Sequence, residues 1–233
     1  MSQIAEHLLQ VKERIVQAAS RAGRRGDHIQ LLAVSKTKPL EAVCEAYAAG
    51  QRRFGESYAQ EAATKIDTLR EQGSCTDIEW HFIGPLQSNK SKLVAERFDW
   101  VQSVDREKLI ERLNNQRPTG LAPLNVCLQI NISGESSKSG TSEQEIFRLA
   151  ELVSRCERLR LRGLMAIPEH TSDEAVLAVQ MARMQTLFTE LARQYPGVDT
   201  LSMGMTEDLE LAIGHGSTMV RVGTAIFGAR DYS

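Results

Sequence analysis

Residues 29–50 read IQLLAVSKTKPLEAVCEAYAAG, and this stretch decides the fold. Its first seven residues, 29–35 (IQLLAVS), form a short apolar run of strand length. Three polar residues follow, and then a helical pattern over 39–49 that Gly50 stops. A buried strand feeding a helix through a short polar loop is half of a βαβ unit. The same alternation continues along the chain. Strand candidates lie at 54–56, 80–84 (WHFIG), 100–104, 124–132 (LNVCLQINI), 159–167 (LRLRGLMAI), 200–203 and 218–222 (TMVRV). Helical patterns lie between them at 58–72, 89–97, 106–115, 142–156, 172–195 and 207–213, and a terminal turn covers 225–227. Eight strands, each of the first seven followed by a helix, predict an α/β fold: a single closed (β/α)8 TIM-type barrel. An open doubly wound sheet needs fewer strands and often a glycine-rich first turn, where this chain has Ser35-Lys36-Thr37-Lys38-Pro39.

Upstream of the first strand, Ile4, Leu8, Val11 and Ile15 recur at helical spacing. They predict an extra N-terminal helix that caps or flanks the barrel. With acidic residues and no continuous apolar stretch, this segment does not read as a targeting sequence. The 233 residues suit one barrel domain spanning 1–233. Hydrophobic residues make up 42% and charged residues 25%, with a formal net charge of -2. That balance gives no basic field for nucleic acid or anionic lipid, and no stretch reaches membrane-span length. Cys44, Cys75, Cys127 and Cys156 are scattered, without a C-x-x-C pair. Reduced thiols in a cytoplasmic protein are expected, with Cys127 in the core.

Barrel proteins place chemistry at the C-terminal ends of their strands. Lys36 ends the first strand, Glu56 and Ser57 the second, Asn131 the fifth, Ser202 and Gly204 the seventh, and Arg221, Gly223 and Thr224 the eighth. A lysine at such a mouth, among low-dielectric walls and other cations, has a depressed pKa and forms Schiff bases with carbonyls. Departure into solvent is the competing reading for Lys36, and solvation is expected for Lys38. Ser202-Met203-Gly204-Met205 and Gly223-Thr224 follow strands seven and eight, where barrels commonly bind phosphate through backbone N–H groups. Arg221, in an apolar strand, either meets a ligand or forms an ion pair with a strand-end acid such as Glu56. His81 reads as a hydrogen-bonded structural histidine, and Lys138 as a residue of a solvated loop at 134–140.

Several of these segments together resemble one family. They are LLAVSKTKP (31–39), FGESYAQE (54–61), WHFIGPLQSNK (80–90), QINIS (129–133), KSG (138–140), RGLMAI (162–167), LSMGM (201–205) and RVGTAIFGAR (221–230). The chain is similar over nearly its whole length to the YggS/PROSC-type pyridoxal 5′-phosphate (PLP) homeostasis proteins, relatives of the N-terminal barrel of bacterial alanine racemases. The resemblance implies that Lys36 carries PLP as an aldimine. It implies that Ser202, Gly223 and Thr224 form a phosphate cup with Met205 beside it, and that Arg221 faces the pyridine nitrogen. Asn131 would line the pocket. Ser57 stands where the family often has Asn, so a contact there would be shorter-reaching or bridged by water.

An arginine beside the pyridine nitrogen disfavours its protonation and leaves the ring a poor electron sink. Racemases of this barrel type add a base near a partner domain, and the chain is expected to have no such second domain. A non-catalytic cytoplasmic PLP carrier is therefore expected, monomeric, exchanging with free amines and amino acids and touching PLP-dependent enzymes transiently. A racemase-like PLP enzyme and a Schiff-base aldolase acting on a sugar phosphate are the alternatives. The recipient of the PLP, and whether Lys138 holds a second PLP, stay open.

Overall fold

In a computed structural model the apolar runs become eight parallel strands closed into a barrel in the order β1 to β8, with β8 returning to β1. The structure describes residues 2–135, 139–169 and 171–229. The strands are β1 (Gln30–Val34), β2 (Arg53–Glu56), β3 (Glu79–Phe82), β4 (Trp100–Val104), β5 (Leu124–Ile130), β6 (Leu159–Ala166), β7 (Thr200–Ser202) and β8 (Met219–Val222). Between them run α2 (Leu40–Ala48), α3 (Ala59–Gln72), α4 (Ser91–Arg97), α5 (Glu107–Gln116), α6 (Ile146–Ser154), α7 (Glu174–Gln194) and α8 (Leu209–Gly214), and α9 (Thr224–Phe227) follows β8. Single 3-10 turns begin the helical segments expected at 89 and 142. The long helix starts at Glu174, where the Asp173 carboxylate accepts from the N–H groups of Ala175 and Val176.

The expected N-terminal helix is α1 (Gln3–Arg21). Its apolar stripe, Leu8, Val11, Ile15 and Ala18, is buried. It flanks the seam where the barrel closes: Arg14 pairs with Glu210 of α8 at 2.8 Å, and the His7 ring bonds the Ile226 carbonyl of α9.

Two apolar layers follow from the register. The large core lies between strands and helices, and a small separate cluster of Trp100, Cys127 and Met165 lies elsewhere. Residues aligned across a parallel ladder face the same side. The pairs Leu32–Arg221, Gly55–His81, His81–Trp100, Cys127–Gly163, Gln129–Met165, Met165–Ser202 and Ser202–Met219 therefore trace the barrel interior. A register shift at Val126/Cys127 accompanies Gly163, whose φ is 154°. A Cβ there would lie 1.7 Å from the Thr200 carbonyl oxygen. Only glycine lets β6 and β7 approach at this point.

Candidate functional site at the barrel mouth

Lys36 sits one residue past Ser35, in a tight turn closed by the Lys38 N–H on the Ser35 carbonyl at 3.1 Å. Thr37 in this turn has φ 64°, a left-handed conformation uncommon for a side-chain-bearing residue. The turn is gripped from the helix side. The Ser35 hydroxyl donates to Glu56 Oε1 at 2.7 Å, and the Thr37 N–H donates to Glu61 Oε1 at 2.8 Å. Lys65 Nζ joins these acceptors, bonding the Ser35 carbonyl at 2.9 Å, Glu56 at 2.9 Å and Glu61 at 2.6 Å. Ser35 thus turns outward to Glu56, and half-buried Lys36 follows it in the turn at the C-terminal end of β1. Lys38, expected in solvent, donates its ammonium to the Ala229 carbonyl at 2.6 Å.

Glu56 faces the helices and is fully buried. Burial pushes its carboxyl pKa up, against the pull of Lys65 and the hydrogen bonds from Lys65 and Ser35. It does not pair with Arg221, which lies on the other side of the sheet, so the ion-pair reading of that arginine is set aside. Arg221 donates Nη1 to Ser202 Oγ at 2.8 Å and Nη2 to the Ala166 carbonyl at 2.9 Å. Burial lowers its pKa to about 10, which leaves it a cation at neutral pH.

Ser202 is fully buried, and its hydroxyl is engaged on both sides: it accepts from Arg221 and donates to Gln102 Oε1 at 2.6 Å. This hydroxyl therefore bridges the Gln102 amide and the Arg221 guanidinium. Gly204, half-buried Gly223 and exposed Thr224 occupy the loops after β7 and β8. Thr224 begins α9 directly after Gly223, at the C-terminal end of β8. The Met205 side chain is 41% exposed.

Ser57 is half-buried just past β2, and the loop after β3 approaches it so closely that a Cβ on Gly84 would lie 2.3 Å from its carbonyl oxygen. Asn131 donates Nδ2 to the Glu135 carbonyl at 2.8 Å and accepts from the Ser133 hydroxyl, which turns its amide into the loop after β5. Lys138 lies outside the described residues. His81 is fully buried, stacked on Trp100 at 4.9 Å, with Nε2 on Glu79 and Nδ1 on Gln102. Among the described residues no group of three His, Cys, Asp or Glu is placed to hold a metal, and no helix is long and apolar enough to cross a membrane.

A closed parallel barrel with a strained lysine turn after its first strand and a buried arginine in its last defines the class. The profile described as "Alanine racemase, N-terminal domain" matches residues 7–231. Alanine racemase from Streptomyces coelicolor A3(2) shares the fold, with a TM-score of 0.76 at 17% identity over 97% of this chain and 58% of that one. PipY of Synechococcus elongatus PCC7942, solved with PLP bound, is 36% identical, with a TM-score of 0.81 over 97% of this chain and 100% of that one. The pyridoxal phosphate homeostasis protein of Escherichia coli (strain K12) is 58% identical over 100% of this chain and 99% of its own length. The protein of that name from Pseudomonas aeruginosa is 56% identical over 100% and 98%. The chain belongs to the family of pyridoxal phosphate homeostasis proteins.

Proposed function

We propose that this chain binds PLP and serves intracellular PLP and amino-acid homeostasis as a single barrel domain (1–233), with Lys36 holding the cofactor as a Schiff base. The observation that carries this reading is the placement of the Lys36 turn and the Arg221 guanidinium at one barrel mouth, beside loops that offer backbone and hydroxyl donors. The donor set fits the three functional parts of PLP. A primary amine suits its aldehyde, the loops that carry Ser202, Gly223 and Thr224 suit its phosphate, and a fixed guanidinium suits its ring nitrogen. Ser202 enters the site through its bond to Arg221, and Met205, Asn131 and Ser57 line its rim. The PLP-bound PipY and the names of the Escherichia coli and Pseudomonas aeruginosa relatives support the same cofactor.

The cofactor supplies a reactive aldehyde and, where its ring nitrogen is protonated, an electron sink. Arg221 opposes that protonation, because two positive charges at contact distance repel. This favours a non-catalytic carrier over a racemase. The reading places the protein in the cytoplasm as a monomer, with free amines and amino acids as exchange partners and PLP-dependent enzymes as transient recipients.

The absorption spectrum after mixing with PLP tests the site. Wild type is expected to be yellow, Lys36→Ala to lose the visible band, and borohydride reduction to leave the cofactor on the Lys36 peptide. A wild type that stays colourless, or reduced cofactor found only on other lysines, refutes the assignment. Racemisation of an amino acid by the wild type, abolished in Lys36→Ala, refutes the carrier role.

A further inference from the structure

Barrel interiors of this fold are usually filled by branched apolar side chains. Here a line of polar side chains runs through the interior instead. Arg221 donates to Ser202 at 2.8 Å, Ser202 donates to Gln102 at 2.6 Å, Gln102 Nε2 meets His81 Nδ1 at 2.9 Å, and His81 Nε2 meets Glu79 at 2.9 Å. The contributing strands are β8, β7, β4 and β3. Arg221 lies near the C-terminal mouth, whereas Glu79 is the first residue of β3, at the opposite end, where it also accepts from Arg53 at 3.1 Å.

Each end of the line has a fixed role. A guanidinium only donates, and an ionised carboxylate only accepts. Glu79 is ionised: burial pushes its pKa up, but the His81 hydrogen bond and the charge of Arg53 hold it below the ordinary carboxylate range. The links between have one consistent polarity. The Ser202 proton goes to the amide oxygen of Gln102, so the amide nitrogen donates to His81, and Met219 Sδ beside that nitrogen at 3.1 Å suits a donor. His81 Nδ1 is then bare and Nε2 carries the proton to Glu79. Burial lowers the His81 pKa, which keeps the ring neutral. Every dipole thus turns its negative end toward Arg221, whose own two bonds go to neutral oxygens. Hydrogen bonds polarised in one direction reinforce one another in a low-dielectric interior. They also supply the buried cation with a counter-charge from a distance.

We infer that Ser202, Gln102, His81 and Glu79 are positioning residues that orient Arg221 and stabilise its charge toward the cofactor's ring nitrogen from the far end of the barrel. This rests on the proposed placement of PLP against Arg221. Two measurements separate the two. The first is nitrogen NMR of His81 in the cofactor-free protein, where the expected signature is a protonated Nε2 and a bare Nδ1. A proton on Nδ1 overturns the chain without reference to PLP. The second is PLP titration by absorbance for wild type, Gln102→Met, Glu79→Gln and, as a control inside the same barrel, Cys127→Ala.

Gln102→Met and Glu79→Gln are expected to weaken PLP binding about three- to tenfold, the loss of roughly one hydrogen bond's influence at one remove. Both are expected to alter the ratio of visible to near-ultraviolet bands of the bound cofactor. Cys127→Ala is expected to keep the wild-type ratio while lowering thermal stability. Wild-type affinity and band ratio in Gln102→Met and Glu79→Gln, or the same band change in Cys127→Ala, overturn the inference. A wild type that takes up no PLP overturns the placement of the cofactor and, with it, the coupling.

Discussion

Replacing Lys65 by methionine isolates the device that holds the Lys36 turn. The methionine stem fills nearly the same volume as the lysine stem, so packing changes little. The three bonds from the ammonium disappear, and with them the cation facing Glu56, whose side chain is fully buried while that of Lys65 is 8% exposed. Glu56 keeps one hydrogen bond, from Ser35, and its Oε2 has no partner. Removing one member of a buried ion pair costs about 3–5 kcal/mol, because the other charge is left uncompensated. Glu56 limits that loss by taking up a proton.

Burial already raises the Glu56 pKa in the folded state, and losing Lys65 raises it further. A carboxyl with a raised folded pKa binds more protons folded than unfolded between its ordinary and raised values. Stability therefore falls as pH rises through that window. The loss in Lys65→Met is expected to be about 3 kcal/mol at pH 8 and at least about 1 kcal/mol smaller at pH 5. For a chain of this size the pH 8 value corresponds to a Tm lower by about 6–12 °C. Urea denaturation followed by circular dichroism at both pH values measures it. A Glu56→Gln change made in the Lys65→Met background is expected to flatten the pH dependence. An equal loss at pH 5 and pH 8, or a loss under about 1 kcal/mol at both, would falsify the reasoning.

Gly163→Ala is expected to cost more than about 4 kcal/mol, since no relaxation of one side chain relieves a Cβ placed against the Thr200 backbone; recovery of soluble Gly163→Ala protein with a wild-type Tm refutes this. Cys127 is fully buried, and burial pushes its thiol pKa up, so it is expected to resist maleimide until the chain unfolds in urea; peptide mapping that finds it labelled under native conditions at the rate of half-buried Cys44 counts against the interior placement.

The fold was legible because strands such as β1, β5 and β8 are buried on both faces and show as apolar runs, while the helices between show a different period. What a run of this kind hides is which face each residue takes. Glu56 and Ser57 both mark the end of β2 in the sequence, yet Glu56 enters the sealed layer behind the sheet and Ser57 stays half-buried. Arg221 and Glu56 looked like ion-pair candidates on the same grounds, and the sheet stands between them. Lys65 has the spacing of an ordinary i,i+4 partner of Glu61, and only the packing of α3 over the Ser35 turn converts it into a buried clamp. Gln102 sits in WVQSV, where a polar residue inside a buried strand was the available signal. Its partners His81 and Ser202 are 21 and 100 residues away in sequence, so closure of the barrel alone brings them together. The groups that would touch the cofactor lie at strand ends and can be read one motif at a time. The groups that orient them lie within the strands, and their role exists only once the register has assigned the interior face.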